Sequence, residues 1–236
     1  MPYLSDPRRN QLLAALPAAE WQRWAPQLEL IELAQGDVVY ESGCALSHVI
    51  FPTTAIVALL YVTEEGASAE LAVVGYEGIV GISLFMGGES TSSRGVVQSA
   101  GQGYRLPAAR IKEEFKRAPV LHLLLRYTQA LITQMAQTVV CNRHHCIVQQ
   151  LCRFLLCTLD RSAETELRMT QELIANALGV RREGVTQAAV MLKKAELLEY
   201  GRGYMRIRDR KGLEDRVCEC YSAVANESSR LLRVRR

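Results

Sequence analysis

A helix, one glycine and a second helix can be read directly from residues 169–192, MTQELIANALGVRREGVTQAAVML. Thr170 is a favoured N-cap type, followed by Gln171, and Glu172 falls in the first turn, where the positive helix end favours an acid. Leu173, Ile174, Ala177 and Leu178 form one apolar face. Gly179 then ends the helix, because glycine adopts left-handed dihedrals at little steric cost. A second helix is predicted from Arg181 or Arg182 to about Ala195, with Val185, Ala188, Ala189 and Leu192 inward. Ala175 is small where two steeply crossed helices would meet. This is the pattern of a helix-turn-helix. Arg181, Arg182 and Glu183 open the second helix on its exposed side, from which such a helix meets base edges. Two ordinary packed surface helices are the alternative for this stretch taken alone.

The net charge of +3 over 236 residues is too small by itself to point to nucleic acid. Its distribution is more informative. Residues 168–216 hold eleven Lys/Arg against seven Asp/Glu, so the basic excess coincides with the motif. A hydrophobic content of 49% with 22% charged residues predicts a folded chain. There is no run of about 18 apolar residues to span a bilayer. The opening MPYLSDPRRN lacks an apolar signal core, so a cytoplasmic location is expected. The seven cysteines are Cys44, Cys141, Cys146, Cys152, Cys157, Cys218 and Cys220. An odd count in such a chain argues against a disulfide framework and for buried small hydrophobes.

Residues 8–24 read as short helices broken at Pro17, with Trp21 and Trp24 on one face. From Leu28 to Pro107, short apolar runs alternate with turn residues, the runs including LELIEL, HVIF, AIVALLYV, AELAVV, GIVGISLF and GVVQSA. Breaks every 8–12 residues or so, mostly at glycine, predict an all-β barrel or sandwich. Glu64-Glu65-Gly66 reads as a hairpin turn. A short helix from Pro107 to Arg117 precedes a long one from Val120 to about Cys141. Along the latter, Leu121, Leu125, Thr128, Ile132, Met135 and Val139 recur in steps of four and three, with Leu124, Leu131 and Thr138 as a neighbouring row. About three heptads of apolar seam suit a two-stranded coiled coil; the alternative is a helix buried in its own domain. The polar bend at residues 142–145 places a domain boundary near residues 142–147, and Ile147–Leu159 reads as a further amphipathic helix. After the motif, two short strands around Gly201-Arg202-Gly203 predict a hairpin whose Arg202, Arg206 and Arg208 can reach phosphates.

The whole arrangement resembles the Crp/Fnr family of bacterial transcription regulators. Its most specific carrier is LGVRREGVTQAAVMLKKAELLEYGRGYMRI, residues 178–207, with the glycine-marked turns at Gly36, Gly43, Phe51-Pro52, Gly75, Gly78 and Gly81 in support. The resemblance implies an α+β chain in three parts. These are a cyclic-nucleotide-binding-type β-roll over residues 1–118, a dimerisation helix with its hinge over 119–145, and a winged helix-turn-helix over 146–236. It further implies a homodimer on double-stranded DNA, RNA polymerase as partner of an activator, and an effector between barrel and long helix. With Val185, Ala188, Ala189 and Leu192 inward, Arg182, Glu183, Thr186 and Gln187 are left facing the major groove, with Arg181 beside them, and Thr170, Gln171 and Arg202 are expected to hold phosphates; the resemblance adds that family members place Arg-Glu at the positions of Arg182-Glu183. The effector pocket falls at Gly81, Ile82, Ser83 and Arg94, with Met135 and Ala136 at the base-reading positions. The chain departs from the cyclic-AMP-binding members here. Ile82 stands where they carry a ribose-binding glutamate, and Arg94 is displaced by about two residues. An unpaired buried ribose hydroxyl costs about 1–3 kcal/mol, so cyclic AMP in its usual pose is not expected. Nor is an iron–sulfur cluster, because Cys44 is alone in the first 140 residues.

Cys141-Asn-Arg-His144-His145-Cys146 has metal-ligand residue types, but no C-x-x-C pair accompanies it, and a polar bend accounts for the histidines. A thiol- or metal-based sensor using Cys141, His144, His145 and Cys146 is the second reading; no metal is assigned in the first. Cys218 and Cys220, placed on an ideal helix, point about 200° apart and would not chelate together. No nucleophile elbow, phosphate loop or metalloprotease pattern occurs, so no enzyme is expected.

Overall fold

A computed structural model describes residues 6–114, 117–162, 164 and 166–232. Two short helices, α1 (Gln11–Ala14) and α2 (Ala18–Trp24), are separated at Pro17, as expected. Asn10 is fully buried and uses its whole side chain. Its Oδ1 accepts from the backbone of Leu12 and Leu13, capping α1, and its Nδ2 donates to the carbonyls of Pro52 and Gly78. Trp24 is buried and Trp21 packs beside the same core.

Seven strands follow: β1 (Glu29–Leu33), β2 (Val38–Tyr40), β3 (His48–Pro52), β4 (Ile56–Val62), β5 (Ser68–Val74), β6 (Arg94–Ser99) and β7 (Gly101–Pro107). They form two antiparallel sheets, β1-β7-β3 and β2-β6-β4-β5. Val49, Phe51, Val57, Leu59, Val97 and Leu106 fill the space between them. The alternate residues Ile56, Ala58 and Val73 form a second, separate cluster. A strand buried on both faces needs a cover on each. The predicted turn at Glu64-Glu65-Gly66 joins β4 to β5, with Gly66 at φ +84°.

The apolar run GIVGISLF is not a strand. Val80 makes one bridge to Ile50, and Ile82–Leu84 is a single 3-10 turn. Gly81 at φ +98° turns the chain out of the ladder. At Gly78 a Cβ would lie 2.4 Å from the Tyr127 hydroxyl, so only glycine lets this loop touch the long helix.

After α3 (Ala108–Glu114) comes α4 (Ala118–His144), longer at both ends than the predicted Val120–Cys141. Tyr127 anchors it by donating to the Ile79 carbonyl at 3.2 Å. The expected seam divides. Leu124, Thr128 and Leu131 are buried in the chain's own interior, and Met135 packs partly against the same core. Leu125, Ile132 and Val139 remain open, at 49%, 57% and 66% exposure. Part of the apolar stripe expected at a dimer seam is therefore covered by the chain's own core, and Leu125, Ile132 and Val139 are the part left open.

The C-terminal part contains α5 (Ile147–Leu159), β8 (Glu166–Leu167), α6 (Gln171–Leu178), α7 (Arg182–Lys194), β9 (Leu198–Gly201), β10 (Tyr204–Ile207), α8 (Arg210–Glu214) and α9 (Glu219–Leu232). Its core gathers Leu151, Leu155, Ile174, Val185, Ala189 and Leu192. The predicted hairpin β9–β10 gains β8 as a third strand, in the order β8-β10-β9. Helix α9 runs back along α4 in the opposite sense, with Gln129 bonded to Glu227 and Cys141 beside Cys218. Among the described residues no helix is long and apolar enough to cross a membrane.

Candidate nucleic-acid interface

Local chemistry sets the two helices of the motif. The Thr170 hydroxyl accepts from the Leu173 N–H at 3.1 Å and starts α6. Gly179, at φ +65°, ends it, its N–H directed to the carbonyls of Ala175 and Asn176. Helix α7 begins at Arg182, with Val185, Ala188, Ala189 and Leu192 buried as expected. Gly184 touches α5: a Cβ there would lie 2.7 Å from Ile147 Cδ1. That contact, which sequence reasoning missed, seats α7 closely on α5.

Arg181, Arg182, Glu183 and Gln187 are exposed on the outer side of α7. Thr186 is half-buried and occupied. Its hydroxyl bridges the two helices at 2.7 Å from Gln171 Oε1 and lies 3.0 Å from the Arg182 carbonyl. With its oxygen engaged, Gln171 keeps its amide N–H groups available as donors. Glu172 Oε2 lies 3.8 Å from Arg182 Nε, both side chains well exposed, a loose pair worth little in stability. Thr170 and Arg202 are exposed too, Arg202 at the β9–β10 turn. Arg206 and Arg208 are less free than expected, since Arg206 pairs with Glu166 and Arg208 with Glu199 at 2.6 Å. The acid on β8 that neutralises Arg206 belongs to a strand too short to be read from the sequence.

At the expected effector pocket, Arg94 is paired with Glu41 at 3.1 Å. Ile82 and Met135 pack partly buried against the barrel core, and Ala136 is exposed on α4 near the open seam positions. The Ser83 hydroxyl is buried without a partner. A cavity of about 570 Å³ opens elsewhere, between the outer face of the β2-β6-β4-β5 sheet and α6, lined by Leu60, Glu70, Gln98, Leu173 and Asn176 among others. Gln35 bridges this junction by donating to the Arg168 carbonyl at 2.6 Å.

Inside this cavity one Glu70 carboxylate oxygen is buried and unpartnered. Burial pushes the Glu70 carboxyl up to about 7 from its ordinary 4.5, against the downward pull of Arg153 and Arg161. Between those two values the folded chain binds more protons than the unfolded one, so stability falls as pH rises through this window. Glu70→Gln is expected to remove that loss and to stabilise the chain at pH 8 by about 1–3 kcal/mol. At pH 4 the gain should vanish. Thermal unfolding of both proteins across this range checks it, and parallel pH curves would contradict it.

The cysteine–histidine reading is redistributed. His144 and Cys146 are exposed, and Cys146 starts α5, with Gln149 Oε1 accepting from its N–H at 3.3 Å. Cys141 and His145 instead meet Cys218 and Cys220.

The Crp-like helix-turn-helix domain profile matches residues 149–216. A comparison with curated proteins finds no match. Among solved structures, the fold is shared with a Crp/Fnr-family transcriptional regulator from Eubacterium rectale, at TM-score 0.70 and 19% identity over 88% of this chain and 98% of that one. FixK2 from Bradyrhizobium japonicum aligns with TM-score 0.67 and 14% identity, covering 81% of this chain and 98% of its own. The c-di-GMP-responsive global regulator CLP of Xanthomonas campestris aligns with TM-score 0.63 and 13% identity, covering 81% and 99%. The chain thus carries a Crp-like helix-turn-helix domain and shares its overall fold with solved regulators of the Crp/Fnr family.

Proposed function

We propose that this chain is a homodimeric transcription regulator that reads a two-fold DNA site with the first turns of α7. The observation that carries the reading is the exposed set Arg182, Glu183 and Gln187, on a helix whose opposite face is locked into the domain core. Arginine suits guanine O6/N7, glutamate accepts from cytosine N4, and glutamine pairs with adenine. Thr170, Gln171 and Arg202 supply phosphate contacts, which position the protein without reading sequence. In a two-fold dimer the half-sites lie about 34 Å apart, one turn of DNA. An effector between barrel and α4 is part of this reading. Cyclic AMP in its usual pose is not that effector, because Ile82 offers no acceptor and Arg94 is already paired with Glu41.

Selection from randomised DNA at two salt concentrations tests the reading. Arg182→Ala is expected to cost about 1–3 kcal/mol and to relax preference at one base pair per half-site. Arg202→Ala is expected to weaken all sequences alike and to reduce the salt slope by about one unit per lost contact. An Arg182→Ala protein that keeps the wild-type preference would remove α7 as the reading helix.

A further inference from the structure

We propose that Cys141, His145, Cys218 and Cys220 form a closed metal site for one zinc-class divalent cation, clamping the end of α4 to the start of α9. Each residue offers one ligand atom, and the four atoms lie within 4.8 Å of one another. Cys141 Sγ is 3.6 Å from Cys218 Sγ, and Cys220 Sγ is 3.6 Å from His145 Nδ1. A tetrahedral zinc centre with Zn–S of about 2.3 Å and Zn–N of about 2.0–2.1 Å has S···S edges of about 3.8 Å and S···N edges of about 3.6 Å. Both distances fit that cage. Three thiolates and an imidazole fill all four positions, the arrangement of a structural site rather than a catalytic one.

Local structure explains how the ligands converge. Cys141 lies in the last turn of α4, and His145 is its C-cap, extended in backbone and donating its N–H to the Cys141 carbonyl at 3.1 Å, which keeps the two residues together. Cys218 precedes the first helical residue of α9, Glu219, so it escapes the helical spacing that would turn it away from Cys220. The three cysteines are buried, at 0%, 3% and 0% exposure. Gln150 Nε2 donates to the His145 carbonyl at 2.8 Å and holds the bend in place.

Two further observations point to an ion. Glu219 Oε1 lies 3.3 Å from His145 Nε2, leaving Nδ1 toward the sulfurs. A carboxylate on the far ring nitrogen fixes the tautomer that ligates a metal. The second is Arg153, whose side chain is buried and whose Nε has no partner. It donates to Thr138 Oγ1 at 3.3 Å and lies close to the Cys141 sulfur, with the Glu70 carboxyl as a further, weaker electrostatic neighbour. Three thiolates around a divalent cation carry one net negative charge, which this guanidinium balances. Binding releases the three thiol protons to solvent, with no change of oxidation state. The site joins the helix that carries the open seam to the last helix of the DNA-binding part, one residue before α5 is capped.

Elemental analysis of the full-length chain, purified under reducing conditions, tests this. About one zinc per chain is expected, retained through gel filtration. Cys141→Ser and the double variant Cys218→Ser/Cys220→Ser should fall to about a tenth of that, whereas His144→Ala and Cys146→Ser should keep it. In case the ligand variants do not fold, the wild-type chain is stripped with a chelator and titrated with cobalt(II). A one-to-one endpoint with thiolate-to-cobalt charge-transfer bands and intense tetrahedral d–d bands is expected. The proposal is overturned by metal retained in the double variant, by metal lost from the Cys146→Ser control, or by wild-type protein that is metal-free and gives no tetrahedral cobalt spectrum. A Cys141–Cys218 disulfide in metal-free protein from a reducing cytoplasm would overturn it too.

Discussion

A chain carrying Leu125→Asp and Ile132→Asp is expected to be a folded monomer that binds its DNA site at least about a hundredfold more weakly than the parent. Both side chains lie on the open stripe of α4, together with Val139, while the opposite face of that helix, with Leu124, Tyr127 and Leu131, is buried against the chain's own core. Residues 125, 132 and 139 are one heptad apart, the spacing at which two helices keep the same seam facing each other. In a two-fold interface each aspartate has a copy across the axis, so desolvation and like-charge repulsion add. Losing the dimer converts a second, effectively intramolecular half-site contact into an independent one, a change of about 10²–10⁴ in avidity. Leu131→Asp provides the contrast. Leu131 is buried in the chain's own core, so its substitution should unfold the chain rather than dissociate it. Light scattering, circular dichroism and DNA binding on the three proteins separate the two faces. A folded double variant that stays dimeric would move the interface off α4.

Local signals were the legible ones. Thr170, Gly179 and the apolar positions of α7 each act within a few residues, and all behave as their types require. The Gly66 and Gly203 turns are of the same kind, both at positive φ. What failed was non-local. The period of α4 identifies its apolar residues but not which cover each one meets, so Leu124 and Leu131 were grouped with Leu125 and Ile132. GIVGISLF is apolar enough for a strand, yet Tyr127 packs on Gly78 and Gly81 turns the chain away. Arg206 looks free in sequence because Glu166, its partner, lies on a two-residue strand. The metal-type cluster shows the limit most clearly. The density of thiols and imidazoles over residues 141–146 is a readable signal, but it cannot say that Cys141 and His145 face residues from the start of α9 while His144 and Cys146 stay exposed. Treating Cys218 as helical then removed the pair that completes the set.

Arg161→Ala is expected to lower the unfolding temperature by about 6–20 °C, and to do so by freeing the C-terminal part from the β-roll. Arg161 follows α5, and its Nε donates to Glu77 Oε1 at 2.6 Å, with side-chain exposures of only 10% and 16%. Its Nη1 donates to the Cys157 carbonyl at 2.7 Å, which holds the guanidinium in the geometry that reaches Glu77. Glu77 lies on the 75–78 loop that also passes under Tyr127, so barrel, long helix and DNA-binding part all touch there. Gly75 keeps the loop close, since a Cβ would lie 2.9 Å from Arg161 Cγ. Removing the guanidinium leaves the Glu77 carboxylate desolvated, with its Oε2 already unpartnered. Breaking one side of a buried pair costs about 3–5 kcal/mol, and each kcal/mol shifts the transition by about 2–4 °C in a chain of this size. Because the penalty is a stranded charge rather than a lost attraction, Arg161→Ala combined with Glu77→Gln should recover part of it. Differential scanning calorimetry gives both readouts. The parent should unfold in one transition, whereas Arg161→Ala should show an earlier, separate one for the uncoupled part. A loss that the second substitution deepens instead of relieving would mean that packing of the arginine stem, not the buried charge, joins the two parts.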